Sequence, residues 1–308
     1  MNRVRVAVIA GPTASGKSKA AIELAKIFNV EIISADSMQV YRFMDIGTAK
    51  PSSEERAEIK HHMIDIANPD EDYTAARFKN EASKAIEDVY RRGKNIFVVG
   101  GTGLYIRTLI KGLFMGPGKN EKLRQKLKDL SEKQGSNYIY NILKKVDPSS
   151  ASKIHPNNKV RIIRAIEVYF TTKRTMSSFQ TEHGFLEKPY DVLYMGLKKE
   201  RKELYRDIEA RVDRMVDNGL INEVKGLIDM GYSPESKAMQ ALGYREAAKY
   251  LNGKLTFENM AYEIKKNTKR YAKRQITWFN KEPDIRWVDA NDINAMVSMI
   301  RGFLTSQD

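Results

Sequence analysis

The sequence predicts an α/β fold, a parallel sheet flanked by helices with an all-helical subdomain inserted into it. Three observations predict this. Val4-Arg-Val-Ala-Val-Ile-Ala10 is a β-branched run that stops at Gly11-Pro12 and is followed by apolar residues at helical spacing. Two more strand-like runs, residues 30–34 and 95–99, also end in loops with helical stretches between them, the pattern of parallel pairing. From about residue 119 to residue 189 the chain turns charged and helical, with turn signals at Asp147-Pro148 and His155-Pro156 and no strand signal.

Taken in order, residues 1–11 imitate a secretory leader, with Arg3 and Arg5 before a short apolar run. That run enters a glycine loop without a small-residue cleavage site, so it is read as the first core strand. After Ser18, the residues Ala21, Ile22, Leu24, Ala25 and Phe28 mark one face of a helix. Residues 191–197 bring the chain back to the sheet, helices follow from Arg201, and 284–288 reads as the last strand. The expected division is a catalytic core of 1–118 and 190–308, including basic C-terminal helices, and a helical insertion of 119–189. Gly112, Gly116-Pro-Gly118 and Pro189 are its candidate hinges, and the active edge is expected at the strand carboxyl ends.

Composition narrows the function. No apolar run approaches the roughly 20 residues that span a bilayer, so no membrane association is expected. The absence of cysteine excludes disulfides, thiolate catalysis and cysteine-ligated zinc, and a reducing cytoplasmic setting fits. The net charge of +14 favours a polyanionic partner such as nucleic acid.

Gly11-Pro12-Thr13-Ala14-Ser15-Gly16-Lys17-Ser18 matches G-x-x-x-x-G-K-[S/T] between a strand and a helix, which makes the fold P-loop NTPase-like. Inward-turned backbone N–H groups, a helix N-terminus and the Lys17 ammonium together bind a diphosphate or triphosphate. Ser18 supplies the hydroxyl that holds Mg²⁺ in such loops. Asp36 ends the second strand beside this loop, where it serves as a metal-binding carboxylate, as a base facing an acceptor, or merely as a turn former. Gly100-Gly101-Thr102-Gly103 ends the third, lets backbone approach a ligand closely and presents one hydroxyl.

These segments resemble the tRNA dimethylallyltransferase (isopentenyltransferase) family, bacterial type. The resemblance extends through Asp36-Ser37-Met38-Gln39-Val-Tyr41, Asp45-Ile-Gly-Thr-Ala-Lys50-Pro51, His61-His62-Met-Ile-Asp65 and Val99-Gly-Gly-Thr-Gly-Leu-Tyr105. Arg161-Ile-Ile-Arg164, Gln240-Ala-Leu-Gly243-Tyr244-Arg245 and Lys273-Arg274-Gln275-Ile-Thr277-Trp278 carry it across nearly the whole chain. It implies transfer of a dimethylallyl group from its diphosphate to the N6 amine of the adenosine at tRNA position 37, 3′-adjacent to the anticodon. By resemblance Asp36 is the base, and the phosphate loop, Thr102 and Arg211 hold the departing diphosphate with Mg²⁺ near Ser18. Arg211 has Arg214 as a rival. The family also implies a mobile helical insertion and a channel entered from both ends, with dimethylallyl diphosphate and the tRNA anticodon stem-loop as partners; a monomer is the expected assembly.

For RNA contact, the resemblance points to Asp36 to Gln39, Thr102, Arg124, Arg161, Arg164, Gln240, Gly243, Tyr244, Arg245, Lys273, Arg274, Gln275, Thr277 and Trp278. Arg161 and Arg164 share a helix face that a salt bridge to Glu167 would equally explain. Lys265, Lys266, Lys269, Arg270, Lys273 and Arg274 form a basic stripe offset locally by Glu263 alone, which favours RNA backbone over a merely solvated face. Trp278 as an indole is more often core than a stacking platform, and His61 and His62 are expected to be structural. The rivals are a P-loop small-molecule or nucleotide kinase, an adenylate prenyltransferase with no use for the stripe, and a non-catalytic RNA-binding protein.

Overall fold

The computed structural model describes residues 3–114, 116–184 and 187–306, so Met1, where the apparent leader begins, lies outside the described residues. The chain runs β1 (Val4–Ala10), α1 (Lys17–Phe28), β2 (Val30–Ser34), α2 (Ser53–Glu58), β3 (His61–His62), α3 (Ala75–Arg91), β4 (Asn95–Gly100) and α4 (Gly103–Lys111). Among the described residues five helices follow without a strand: α5 (Glu121–Gln134), α6 (Ser136–Val146), α7 (Pro148–Lys153), α8 (Lys159–Thr172) and α9 (Met176–His183). The chain then continues β5 (Tyr190–Lys198), α10 (Arg201–Asp217), α11 (Leu220–Asp229), α12 (Tyr244–Leu251), α13 (Phe257–Phe279), β6 (Arg286–Asp289) and α14 (Ile293–Thr305).

The six strands form one parallel sheet in the order β3-β2-β4-β1-β5-β6. Successive connections leave β1 in opposite directions, toward β2 and later toward β5, so the crevice at its carboxyl end is where an open α/β sheet binds ligands. Register makes the convergence concrete. Ala10 lies level with Gly100 and Gly196, and Ser34 with Val99, so the loops after β1, β2 and β4 emerge side by side.

β1 is buried on both faces. Val6, Val8 and Ala10 point to a core shared with Phe78, Ile106, Tyr244 and Phe279, while Ala7 and Ile9 point to another shared with Leu24, Met296 and Ile300. This explains a continuous rather than alternating apolar strand. The two-residue β3 gives no sequence signal, and β6 begins at Arg286 rather than at residue 284 because residues 284–285 lie before the pairing with β5.

The chain divides into two compact units, residues 1–110 with 188–308, and residues 111–187. The division precedes the expected residue 119, because α4 stops at Lys111 and Gly112 takes a left-handed φ of 80°. The insertion has a core of its own in Leu127, Ile139, Leu143, Ile162, Ile163 and Ile166. No described helix is long and apolar enough to cross a membrane.

Candidate active site

The phosphate loop begins where β1 ends. Ala14 and Gly16 take positive φ of 62° and 86°, and Ser15 N donates to Pro12 O at 3.2 Å, which curls the loop before α1. Gly16 caps α1 without a side-chain hydrogen bond, so the first-turn N–H groups remain open to an anion. Lys17 Nζ donates to Pro12 O at 3.1 Å. Burial first, and then nearby Arg211, pull its ammonium down to about 8 against the opposing pull of Asp36.

Asp36 is a turn former and an open carboxylate at once. Its Oδ1 accepts from Met38 N at 2.8 Å and Gln39 N at 3.4 Å, closing the turn, while its Oδ2 has no hydrogen-bond partner among the described residues. Thr102 Oγ1 accepts from Ser37 N at 3.0 Å. Burial and then the charge of Asp36 push the Tyr271 phenol up to about 12. Arg211 reaches over from α10 and donates to Thr48 O at 3.3 Å. Its guanidinium is held below the usual arginine range by burial, opposed by Asp36 and reinforced by Arg214.

Lys17, Asp36, Arg211 and Tyr271 line one cavity of about 360 Å³, whose walls also carry Met38 and Ile264. A second cavity, about 700 Å³, shares Lys17, Ser18 and Arg211 with the first and adds Lys199 and Arg214. Arg211 therefore lines both cavities, and Arg214 lines the second, beside Lys17 and Ser18. Two desolvated cations face one carboxylate. That imbalance favours an anionic ligand.

A family model described as IPP transferase matches residues 39–282. The tRNA dimethylallyltransferase 2 of Geotalea uraniireducens is 50% identical, over 94% of this chain and 93% of that protein. The chain belongs to the IPP transferase family. Among solved structures, a tRNA delta(2)-isopentenylpyrophosphate transferase from Staphylococcus epidermidis is 42% identical, covering 99% of this chain and all of that one, with a TM-score of 0.72. A eukaryotic dimethylallyltransferase acting on tRNA is 34% identical at a TM-score of 0.84, over 99% of this chain and 80% of its own.

Within this IPP transferase, several residues expected to face RNA are already engaged. Gln39 is buried, accepts from Ser34 Oγ at 2.9 Å and donates to Ala49 O at 3.2 Å, which leaves little of its amide for a base edge. Tyr244 is core: its hydroxyl donates to Glu223 at 2.5 Å, and a Cβ on Gly47 would fall 2.4 Å from its ring. Gly243 is buried at φ 91° as the cap of α12, its N–H given to Glu246, which also pairs with Arg245. Trp278 is half-buried beneath the Arg107 guanidinium, 4.4 Å from the ring centroid, and its indole N–H is buried without a partner among the described residues. Gln275 is buried between two backbone groups. Gln240 is exposed and donates to Pro234 O at 2.8 Å, and the exposed Thr277 hydroxyl turns back to Lys273 O at 2.9 Å.

The basic stripe is also thinner than its sequence suggests. Glu263 is not the sole counter-charge, because α10 supplies Asp213 to Lys265 at 2.6 Å and Glu209 to Lys269. Arg270, Lys273 and Arg274 stay exposed without an ion pair among the described residues, and Arg274 borders the cavity. In the insertion, Glu167 is fully buried and accepts Arg124 through Nε at 2.8 Å and Nη2 at 2.9 Å, Arg164 at 2.5 Å and Asn120 N at 2.7 Å. The salt-bridge reading therefore holds for Arg164 and extends to Arg124, whereas Arg161 is exposed.

Sequence reasoning missed Tyr271. Ile264, Thr268, Tyr271 and Gln275 all line the cavity at helical spacing, so the inward face of α13 was readable beside the basic one.

Proposed function

We propose that this chain is a tRNA dimethylallyltransferase that alkylates the N6 amine of the adenosine at tRNA position 37. The observation that carries the reading is the open Asp36 carboxylate in the same cavity as Lys17 and Arg211. In this account the phosphate loop, Lys17 and Arg211 hold the diphosphate of dimethylallyl diphosphate, and Met38 and Ile264 face its five-carbon tail. Asp36 Oδ2 takes a proton from the amine as nitrogen bonds the allylic carbon and the carbon–oxygen bond to diphosphate breaks. The negative charge accumulating on the leaving group meets cations already in place, so little reorganisation is needed. Thr102, fixed through Ser37 N, and Tyr271 support the acceptor side.

Mg²⁺ fits the site in a limited way. The Ser18 hydroxyl has no protein partner among the described residues and borders both cavities, but no group of three metal-ligating side chains is present among them. The ion would enter on the diphosphate, with Ser18 as its protein ligand, and would add charge neutralisation to that group. The exposed cations Arg270, Lys273, Arg274 and Arg161 suit an RNA backbone, and we read the working form as a cytoplasmic monomer.

The kinase alternative is weakened by membership of the family. Release of inorganic diphosphate from dimethylallyl diphosphate, dependent on an anticodon stem-loop, tests the reading. ATP-dependent phosphoryl transfer at a comparable rate would contradict it.

A further inference from the structure

Gln275 lies in the wall of the reaction cavity, yet both ends of its amide are taken. Oε1 accepts from Thr13 N at 2.9 Å and Nε2 donates to Gly101 O at 2.9 Å. Thr13 belongs to the phosphate loop. Gly101 precedes Thr102, whose hydroxyl receives Ser37 N beside Asp36. The β1–β4 ladder ends at the pair Ala10 and Gly100, so both loops lie beyond the last strand pairing. The buried amide continues the tie across that gap.

The residue type follows from this duty. A carboxylate would offer no donor to Gly101 O, and asparagine is one methylene shorter. The opposing backbone is fitted to the amide as well, since a Cβ on residue 101 would stand 2.4 Å from Gln275 Nε2.

We propose that Gln275 is a positioning residue that sets the spacing between the departing diphosphate and the acceptor amine, and that it does so without touching RNA. This rests on the transferase reading above. Displacement at an allylic carbon needs leaving group and nucleophile on opposite sides of one atom, and a misplacement of about 1 Å can cost about 10²-fold in rate. When the spacing slips, water competes for the carbon. The carbon–oxygen bond to diphosphate breaks, a water oxygen bonds the carbon and loses a proton, and dimethylallyl alcohol forms in place of the alkylated base.

The test uses the full chain with dimethylallyl diphosphate, Mg²⁺ and an anticodon stem-loop, comparing wild type with Gln275→Met and the gentler Gln275→Asn. Turnover at saturating substrates falls about 10-fold or more, while stem-loop affinity stays within about twofold, well under 1 kcal/mol. The ratio of dimethylallyl alcohol to prenylated RNA rises, and the Thr13 amide exchanges its hydrogen faster. Weakened RNA binding with wild-type turnover at saturation would overturn the proposal, as would an unchanged alcohol ratio. Should the wild-type chain bind the stem-loop but transfer nothing, the transferase reading fails instead. Thr13 exchange then decides the spacer alone, supporting it if faster in Gln275→Asn and overturning it if unchanged.

Discussion

The core and the insertion handle charge in opposite ways. Residues 111–187, a quarter of the chain, hold fifteen Lys and Arg against seven Asp and Glu and so carry more than half of the net +14. Yet two of the insertion's four arginines are spent on the buried carboxylate of Glu167. Burial pushes that carboxyl up, but the hydrogen bonds from Arg124, Asn120 N and Arg164 outweigh it and hold it below its usual range. In the core the balance is reversed. Lys17 and Arg211 are kept near Asp36 without being neutralised, and their remaining hydrogen-bonding capacity points into a cavity. A cation satisfied internally builds structure; one left short of counter-charge waits for a ligand. The lesson is that arginine count ranks the insertion first for anion binding, whereas partner accounting ranks the core first.

The sharpest break in this comparison is at Asp36. Asp36→Asn keeps Oδ1 in its turn but removes the base, and turnover should fall by about 10²–10⁴. Stem-loop affinity should be nearly unchanged, checked by single-turnover kinetics and direct binding. Wild-type turnover would return Asp36 to a purely structural role.

Glu167→Ala strands Arg124 and Arg164 without their carboxylate. Because both arginines keep some solvent, the loss should be about 3 kcal/mol, at the low end for breaking a buried pair, read from denaturant melts that follow the insertion. Stability unchanged within error would place these arginines on the RNA-binding surface after all.

Lys17 gives a pH signature. Its lowered value near 8 means that the empty site loses the proton above pH 8, whereas bound diphosphate favours the charged form. Donor affinity should therefore weaken as pH rises above 8, by up to about tenfold per unit, with proton uptake on binding in the same range. Calorimetry in buffers of different ionisation enthalpy measures that uptake. None at pH 9 would contradict the desolvated-cation account.

The smallest effect separates free cations from paired ones. Replacing Arg270 and Lys273 by Gln should make the logarithmic salt slope of tRNA binding shallower by about one per lost phosphate contact. Replacing Lys265 and Lys269, which face Asp213 and Glu209, should change it less.

Much of this was legible in sequence because it is local. The phosphate loop, Asp36 at the end of β2 and the glycines after β4 are each fixed by short-range patterns, and their convergence follows from parallel pairing alone. What sequence concealed is partnership across distance. Gln275 meets residues 262 and 174 positions away, and Tyr244 meets Glu223 through the packing of α11 and α12. Motif membership marked both as RNA-facing, and both line the cavity that holds Asp36, but the motif does not show the partners that fix them there. Tyr271 escaped for the converse reason. A tyrosine among lysines and arginines reads as part of a solvated stripe until the inward face of the helix is drawn.

The central claim is that the open carboxylate and the unneutralised cations of the core together perform prenyl transfer to RNA. Mass spectrometry of an anticodon stem-loop incubated with the protein, dimethylallyl diphosphate and Mg²⁺ tests it directly. The account predicts one added dimethylallyl unit on the adenosine 3′ of the anticodon, formed far more slowly with Asp36→Asn and absent when ATP replaces the donor. An unmodified stem-loop that nevertheless binds the protein would contradict it.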